Sequence, residues 1–210
     1  MADPRDRPDQ DVDTAGATPG ERLIEACRRN NTELLQEIID STGDPEKVAI
    51  LLNETKSVLG NHLYHEAALF GNYEVIDLLL DQEGFECDPI NRLEGDTPLH
   101  SAVRFINNLP QPLSSHNIEF GSELIAMMID AGSDPRIRNK AHLTAAQLCD
   151  PTNVKLRNQL NDAMDIVQNQ GDYIVEDEEP EPGDEDDVGS GSDSDFDAEE
   201  YRMAKQKQKR

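Results

Sequence analysis

Apolar residues recur along this chain at helical spacing in several short stretches and then stop. Val75, Ile76, Leu79 and Leu80 stand at i, i+1, i+4 and i+5, which lines one face of a helix. Leu99, Ala102 and Val103 follow Pro98 with the same rhythm. The pair Thr97-Pro98 supplies an N-cap and a first-turn proline, whose missing N–H costs nothing there. After Pro151, Leu156, Leu160, Ala163, Met164 and Val167 keep a helical period up to Gly171, a candidate C-cap. Asp44 to Asn53 predicts a further short helix. Ala67, Ala68 and Ala102 are small enough to let neighbouring helices approach closely. Stripes this short cannot be buried by one helix pair, but a stack of pairs can bury them.

The stripes repeat. Gly60-Asn61-His62-Leu63-Tyr64-His65-Glu66-Ala67 aligns with Gly95-Asp96-Thr97-Pro98-Leu99-His100-Ser101-Ala102 at an offset of 35. Glu74 to Asp81 resembles Glu123 to Asp130, and each is followed by a turn and Asp-Pro, at Asp88-Pro89 and Asp134-Pro135. Upstream, Leu23 to Asp40 falls on Tyr64 to Asp81 at an offset of 41. Downstream, Thr144-Ala145-Ala146-Gln147 occupies the place of Thr97-Pro98-Leu99-His100. A period of this size is the mark of a solenoid.

On these strings the chain resembles the ankyrin repeat family, over roughly residues 21–170. Gly95 to Ala102 is close to the family signature, and Ala67 to Leu80 continues its pattern. The resemblance implies an all-α ankyrin-repeat solenoid of about four helix-turn-helix units with short β-hairpin fingers and degenerate terminal units. It also implies a protein partner bound by the fingers and the inner helix face. Carried over by position, the contact residues are Val58, Leu59, Asn61, Leu69 and Phe70 in the second unit. In the third they are Leu93, Glu94, Asp96, Arg104 and Phe105, and in the fourth Lys140 and Leu143. Phe70 and Phe105 align with each other and form a candidate aromatic anchor. In this family His65 and His100 take a structural place, ordering the adjoining turn. Two departures stand out. The fourth unit has Gln147 for the family histidine. The third is about 14 residues longer than the second, with Ile106 to Asn117 joining its two helices.

Charge divides the chain further. Its 210 residues carry 44 acids and 19 bases, a formal net charge of −25. Residues 1–20 hold five acids and two bases, residues 21–171 hold 24 and 12, and residues 172–200 hold fifteen acids and no base. The last ten residues reverse the sign, with five bases. Segments 1–20 and 172–210 have too little apolar surface to offset their ordering entropy and are expected to be unstructured. Residues 21–171 make one domain. So acidic a chain is not expected to bind bare nucleic acid or an anionic membrane, and self-repulsion favours a monomer. The first twenty residues lack the apolar stretch of a secretory leader, and no run of apolar residues is long enough to span a bilayer. Cys27, Cys87 and Cys149 are few and far apart, as in a reducing cytoplasmic or nuclear setting.

Candidate chemistry is sparse. His62, His65, His100 and His116 have no cysteine partners at zinc spacing, and no metal or cofactor is expected. No nucleophile elbow, phosphate loop or dinucleotide fingerprint is present, so the expectation is a non-enzymatic binding protein. In the acidic segment, Ser190, Ser192 and Ser194 each precede an acid by three residues, a pattern resembling casein kinase sites. Two roles follow: an adaptor that binds one protein on its inner face, or an escort for a basic client such as a ribosomal protein or histone. In the second role the acidic segment shields the client's charge.

Overall fold

A computed structural model describes residues 16–170. The described residues form nine helices: α1 (Pro19–Arg29), α2 (Thr32–Thr42), α3 (Pro45–Glu54), α4 (Leu63–Phe70), α5 (Tyr73–Leu80), α6 (Pro98–Asn107), α7 (Ser115–Asp130), α8 (Ala145–Leu148) and α9 (Val154–Gln170). α1, α4, α6 and α8 pack side by side in chain order as a first-helix row. Each lies against the helix that follows it: α1 on α2, α4 on α5, α6 on α7 and α8 on α9. Four helix pairs are therefore stacked, as the repeat predicts, with α3 an added helix against α2.

The core is one continuous cluster threaded through the pairs. Leu23, Ala26 and Cys27 of α1 meet Leu63, Tyr64, Ala67 and Ala68 of α4, and these meet Leu99, Ala102 and Val103 of α6. Val75, Ile76 and Leu79 from α5, with Leu124, Ile125 and Met128 from α7, close it from the second helices. Leu156 and Leu160 of α9 end it. Each fully buried Leu or Ile here stabilises the fold by about 1.5–3 kcal/mol relative to exposure.

Three features depart from the sequence reading. Helix α1 begins inside the segment 1–20 that composition marks as unstructured. Thr18 accepts from the Glu21 N–H at 3.3 Å while the Glu21 carboxylate accepts from the Thr18 N–H at 2.8 Å, a reciprocal cap that orders the preceding turn. Both ends of the insert in the third unit are helix rather than loop. Ile106 and Asn107 complete α6, and Ser115 to Gly121 lengthen α7, so only residues 108–114 connect them. The added turns are packed: a Cβ on Gly121 would stand 3.2 Å from Ile106, and the Phe120 ring meets Phe105 edge-on at 6.3 Å. The fingers are less regular than hairpins of two strands. Among the described residues they hold a single isolated antiparallel bridge, Lys56 to His62. The expected C-cap Gly171, the segment 172–210 and Ser190, Ser192 and Ser194 lie outside the described residues.

Candidate partner-binding face

The fingers are built by one device used three times. Ser57, Asn91 and Asn139 each close a finger, their N–H groups donating to the carbonyls of Asn61 (2.8 Å), Asp96 (3.0 Å) and Leu143 (3.0 Å). Their side-chain oxygens accept from the returning strand. Asn91 Oδ1 takes the N–H groups of Glu94 and Asp96, both at 3.1 Å, and Asn139 Oδ1 those of Ala141 (3.0 Å) and Leu143 (3.1 Å). Such local side-chain bonds give a short turn the partners that a ladder would otherwise provide. Successive fingers are joined by backbone bonds, Arg92 N–H to Gly60 O at 3.2 Å and Lys140 N–H to Glu94 O at 2.9 Å. The fourth finger is thus formed, although Ala141 and His142 replace the usual polar residue and glycine; His142 takes φ 61° to make its turn.

Histidines tie the two later fingers to the helix before each. The His65 Nε2 lies 2.8 Å from the Asp96 carbonyl and the His100 Nε2 lies 3.0 Å from the Leu143 carbonyl. In the third unit the other ring nitrogen of His100 meets Thr97 Oγ1 at 2.8 Å. The second unit has His62 in place of that threonine. The His62 Nδ1 pairs with the Asn53 carbonyl at 2.9 Å, and His65 Nδ1 is left buried without a partner. Burial holds the His65 imidazole down to about 4 and lowers His62 and His100 in the same direction. In the fourth unit the Gln147 amide oxygen accepts from the Thr144 N–H at 3.0 Å, doing the capping work of the histidine it replaces.

Two buried carboxylates brace the same face. Glu66 is 2% exposed and accepts from Arg28 Nε at 2.8 Å and from Asn61 Nδ2 at 3.2 Å. Burial alone would raise its carboxyl, but the Arg28 and Asn61 donors outweigh burial and keep it below the usual range. Asp96 is 1% exposed and accepts from Arg104 Nε at 2.6 Å and Asn139 Nδ2 at 2.8 Å. Both arginine side chains remain more than a third exposed.

The residues expected to touch a partner separate accordingly. Val58, Leu59, Phe70 and Leu93 are exposed apolar side chains, Val58 almost wholly at 97%. Glu94 and Lys140 are exposed, and Leu69, Arg104 and Leu143 are half-buried. Asn61 and Asp96 do not face outward: their side chains are consumed in the bonds just described, and they position the fingers from beneath. Phe105 and Phe70 are not placed alike. Phe105 lies over Gly71, where a Cβ would fall 2.2 Å from its ring, and packs on Phe120. Phe70 is left outside. A groove of about 280 Å³ between α1 and the second finger is lined by apolar Ile24, Val58 and Leu59 and by polar Glu21, Glu25, Arg28 and Ser57. Sequence reading missed Asn91 and Asn139 as finger closers, although both follow the Asp-Pro steps that the repeat alignment exposes. It also missed Arg28, which the repeat alignment places level with Arg104.

Cys27 is buried, with its thiol pushed up to about 12 by desolvation, and Cys149 is buried and raised for the same reason. No group of three His, Cys, Asp or Glu side chains that could hold a metal ion occurs among the described residues. No helix among the described residues is long and apolar enough to cross a membrane.

The sequence that folds into these stacked pairs has matches among known proteins. The family profile for ankyrin repeats in three copies matches residues 23–139. An ankyrin repeat-containing protein of Saccharomyces cerevisiae is 44% identical over 130 residues, covering 61% of this chain and 67% of its own length. Repeat spacing, helix stacking and both comparisons agree, and the chain belongs to the ankyrin repeat family.

Proposed function

We propose that the protein is a binding module that holds one protein partner on its fingers and first-helix row. The observation that carries this is the set of large apolar side chains left uncovered there: Val58, Leu59, Phe70 and Leu93. They sit on fingers held rigid by paired side chains and backbone bonds, so little ordering cost remains to be met on binding. The role this surface supports is that of an adaptor. The test is affinity purification with mass spectrometry using the full chain, its Phe70→Ala variant and its Val58→Ser/Leu59→Ser variant. Recovered partners should fall at least about tenfold in both variants. Unchanged recovery in both would place the binding surface elsewhere.

A second reading is favoured by residues 172–200, with fifteen acids and no base. In that reading the acidic segment shields a basic client while the repeats recognise one element of it. A salt-sensitive complex with a ribosomal protein or histone, weakened by deletion of residues 172–210, supports it. A complex indifferent to that deletion removes it. Phosphate mapping in protein from cells decides whether Ser190, Ser192 and Ser194 tune this charge.

A further inference from the structure

The charge of the folded part is segregated by row. The first helices with their fingers, residues 19–29, 55–70, 89–107 and 135–149, carry nine bases and five acids. Five of the nine bases and three of the five acids are taken up in ion pairs, Glu66 and Asp96 being buried beneath Arg28 and Arg104. That leaves Lys56, Arg92, Arg138 and Lys140 against Glu21 and Glu94 among the described residues. The rest of the domain, residues 30–54, 71–88, 108–134 and 150–170, carries nineteen acids and three bases. Adding Asp88 and Asp134, at the finger roots, to the first group still leaves nine bases to seven acids, and Asp134 is engaged with Arg136 at 2.8 Å. Lys56 and Arg92 are exposed beside the apolar tips Val58, Leu59 and Leu93, and form no ion pair among the described residues.

We infer that this face recognises a protein segment in which acidic residues are interspersed with large apolar ones. The inference rests on the reading that the fingers and first-helix row are the binding surface, and adds the chemistry of the partner. Exposed Val58, Leu59, Phe70 and Leu93 call for apolar side chains opposite them. Cations set between those tips are matched by carboxylates and would be left unpaired or repelled by lysines, which costs affinity and on-rate. A polyanion such as RNA meets the cations but leaves the apolar tips without partners.

The test is selection from a random peptide library displayed on phage, with the full chain as bait, followed by anisotropy on synthetic consensus peptides. Peptides rich in both Asp or Glu and Leu, Ile or Phe are expected. Their Kd should rise about tenfold or more with Lys56→Glu/Arg92→Glu, and with Val58→Ser/Leu59→Ser. Raising NaCl from about 0.05 to 0.5 M should weaken them as well, since the cations are exposed. All four side chains are exposed, so unchanged circular dichroism verifies the fold of both variants. Basic or uncharged consensus peptides that still lose binding with Val58→Ser/Leu59→Ser leave the face correct and overturn the acidic partner. Peptides indifferent to Val58→Ser/Leu59→Ser overturn the face itself. Displacement of a selected peptide by single-stranded RNA would make this a nucleic-acid surface and overturn the inference too.

Discussion

Individual side chains in this protein divide between holding the fingers and facing outward, and the histidines belong to the first group. His65 is neutral in the folded state because burial disfavours its charge, which holds it down to about 4. In the unfolded chain a histidine takes up its proton near 6.5. A depressed histidine contributes stability that is complete above the unfolded value and is lost as pH falls from about 6.5 towards 4. For His65 alone the full loss is on the order of 3 kcal/mol, and His62 and His100 add in the same direction. Asp88, whose carboxyl burial raises, works against this only at the acid end of the window. Thermal melts at pH 7 and pH 5 should therefore differ, with the lower Tm at pH 5. A His65→Gln variant should narrow the gap; equal melting temperatures at the two pH values for the parent would sink the account. The two phenylalanines give the matching contrast. Phe105→Ala should cost about 2 kcal/mol or more, because the ring fills the space between Gly71 and Phe120. Phe70→Ala should change stability by under about 0.5 kcal/mol, because that side chain is half in solvent.

At the level of elements, the junction between α4 and α5 shows how tightly successive pairs are fitted. Gly71 ends α4 at φ 64°, and the Phe105 ring of the next unit occupies the place of its missing Cβ. Gly71→Ala should cost about 1–2 kcal/mol for the left-handed backbone, and more for moving the ring. Chemical denaturation of the variant checks this, and a midpoint equal to the parent's would refute the close fit. The helices themselves were legible in the sequence because their apolar stripes and caps are local. Thr97-Pro98, Asp44-Pro45 and the run after Pro151 each mark a start without reference to anything distant. The insert was not legible as helix. Residues 115–121 are held by contacts to Ile106, Phe105 and, through Ser122, Gln159 at 2.7 Å, none of which a local pattern reveals. The candidate face was legible in outline only. Position along the repeat finds Val58, Leu59 and Phe70, but it cannot tell that Asp96 is turned inward by Arg104 and Asn139. The repeat alignment likewise set Phe105 beside Phe70, yet Gly71 and Phe120 together give it a packing role.

For the whole molecule, the segregated charge has a consequence for stability as well as for binding. Nineteen of the 24 acids between residues 21 and 171 lie on the second helices and connecting segments, where only three bases offset them. Most are exposed, so their mutual repulsion acts through water over a Debye length of roughly 30 Å at 0.01 M salt and about 8 Å at 0.15 M. Folding draws these carboxylates together, so the folded state gains more from screening than the unfolded chain does. Raising NaCl from 0.01 to 0.15 M should therefore raise Tm, by about 2–4 °C for each kcal/mol of repulsion removed from a domain of this size. Repulsion should also yield to reversal on that row. Asp77 and Glu123 are exposed on α5 and α7, and neither makes an ion pair among the described residues. Asp77→Lys/Glu123→Lys should raise Tm at low salt and shrink the salt increment. Lys56→Glu/Arg92→Glu, on the opposite row, adds acid where bases prevail and should leave that increment the same or larger. Were both variants to respond to salt alike, the rows would be electrostatically equivalent in solution, and the asymmetry that points the finger face at an acidic partner would have no physical effect.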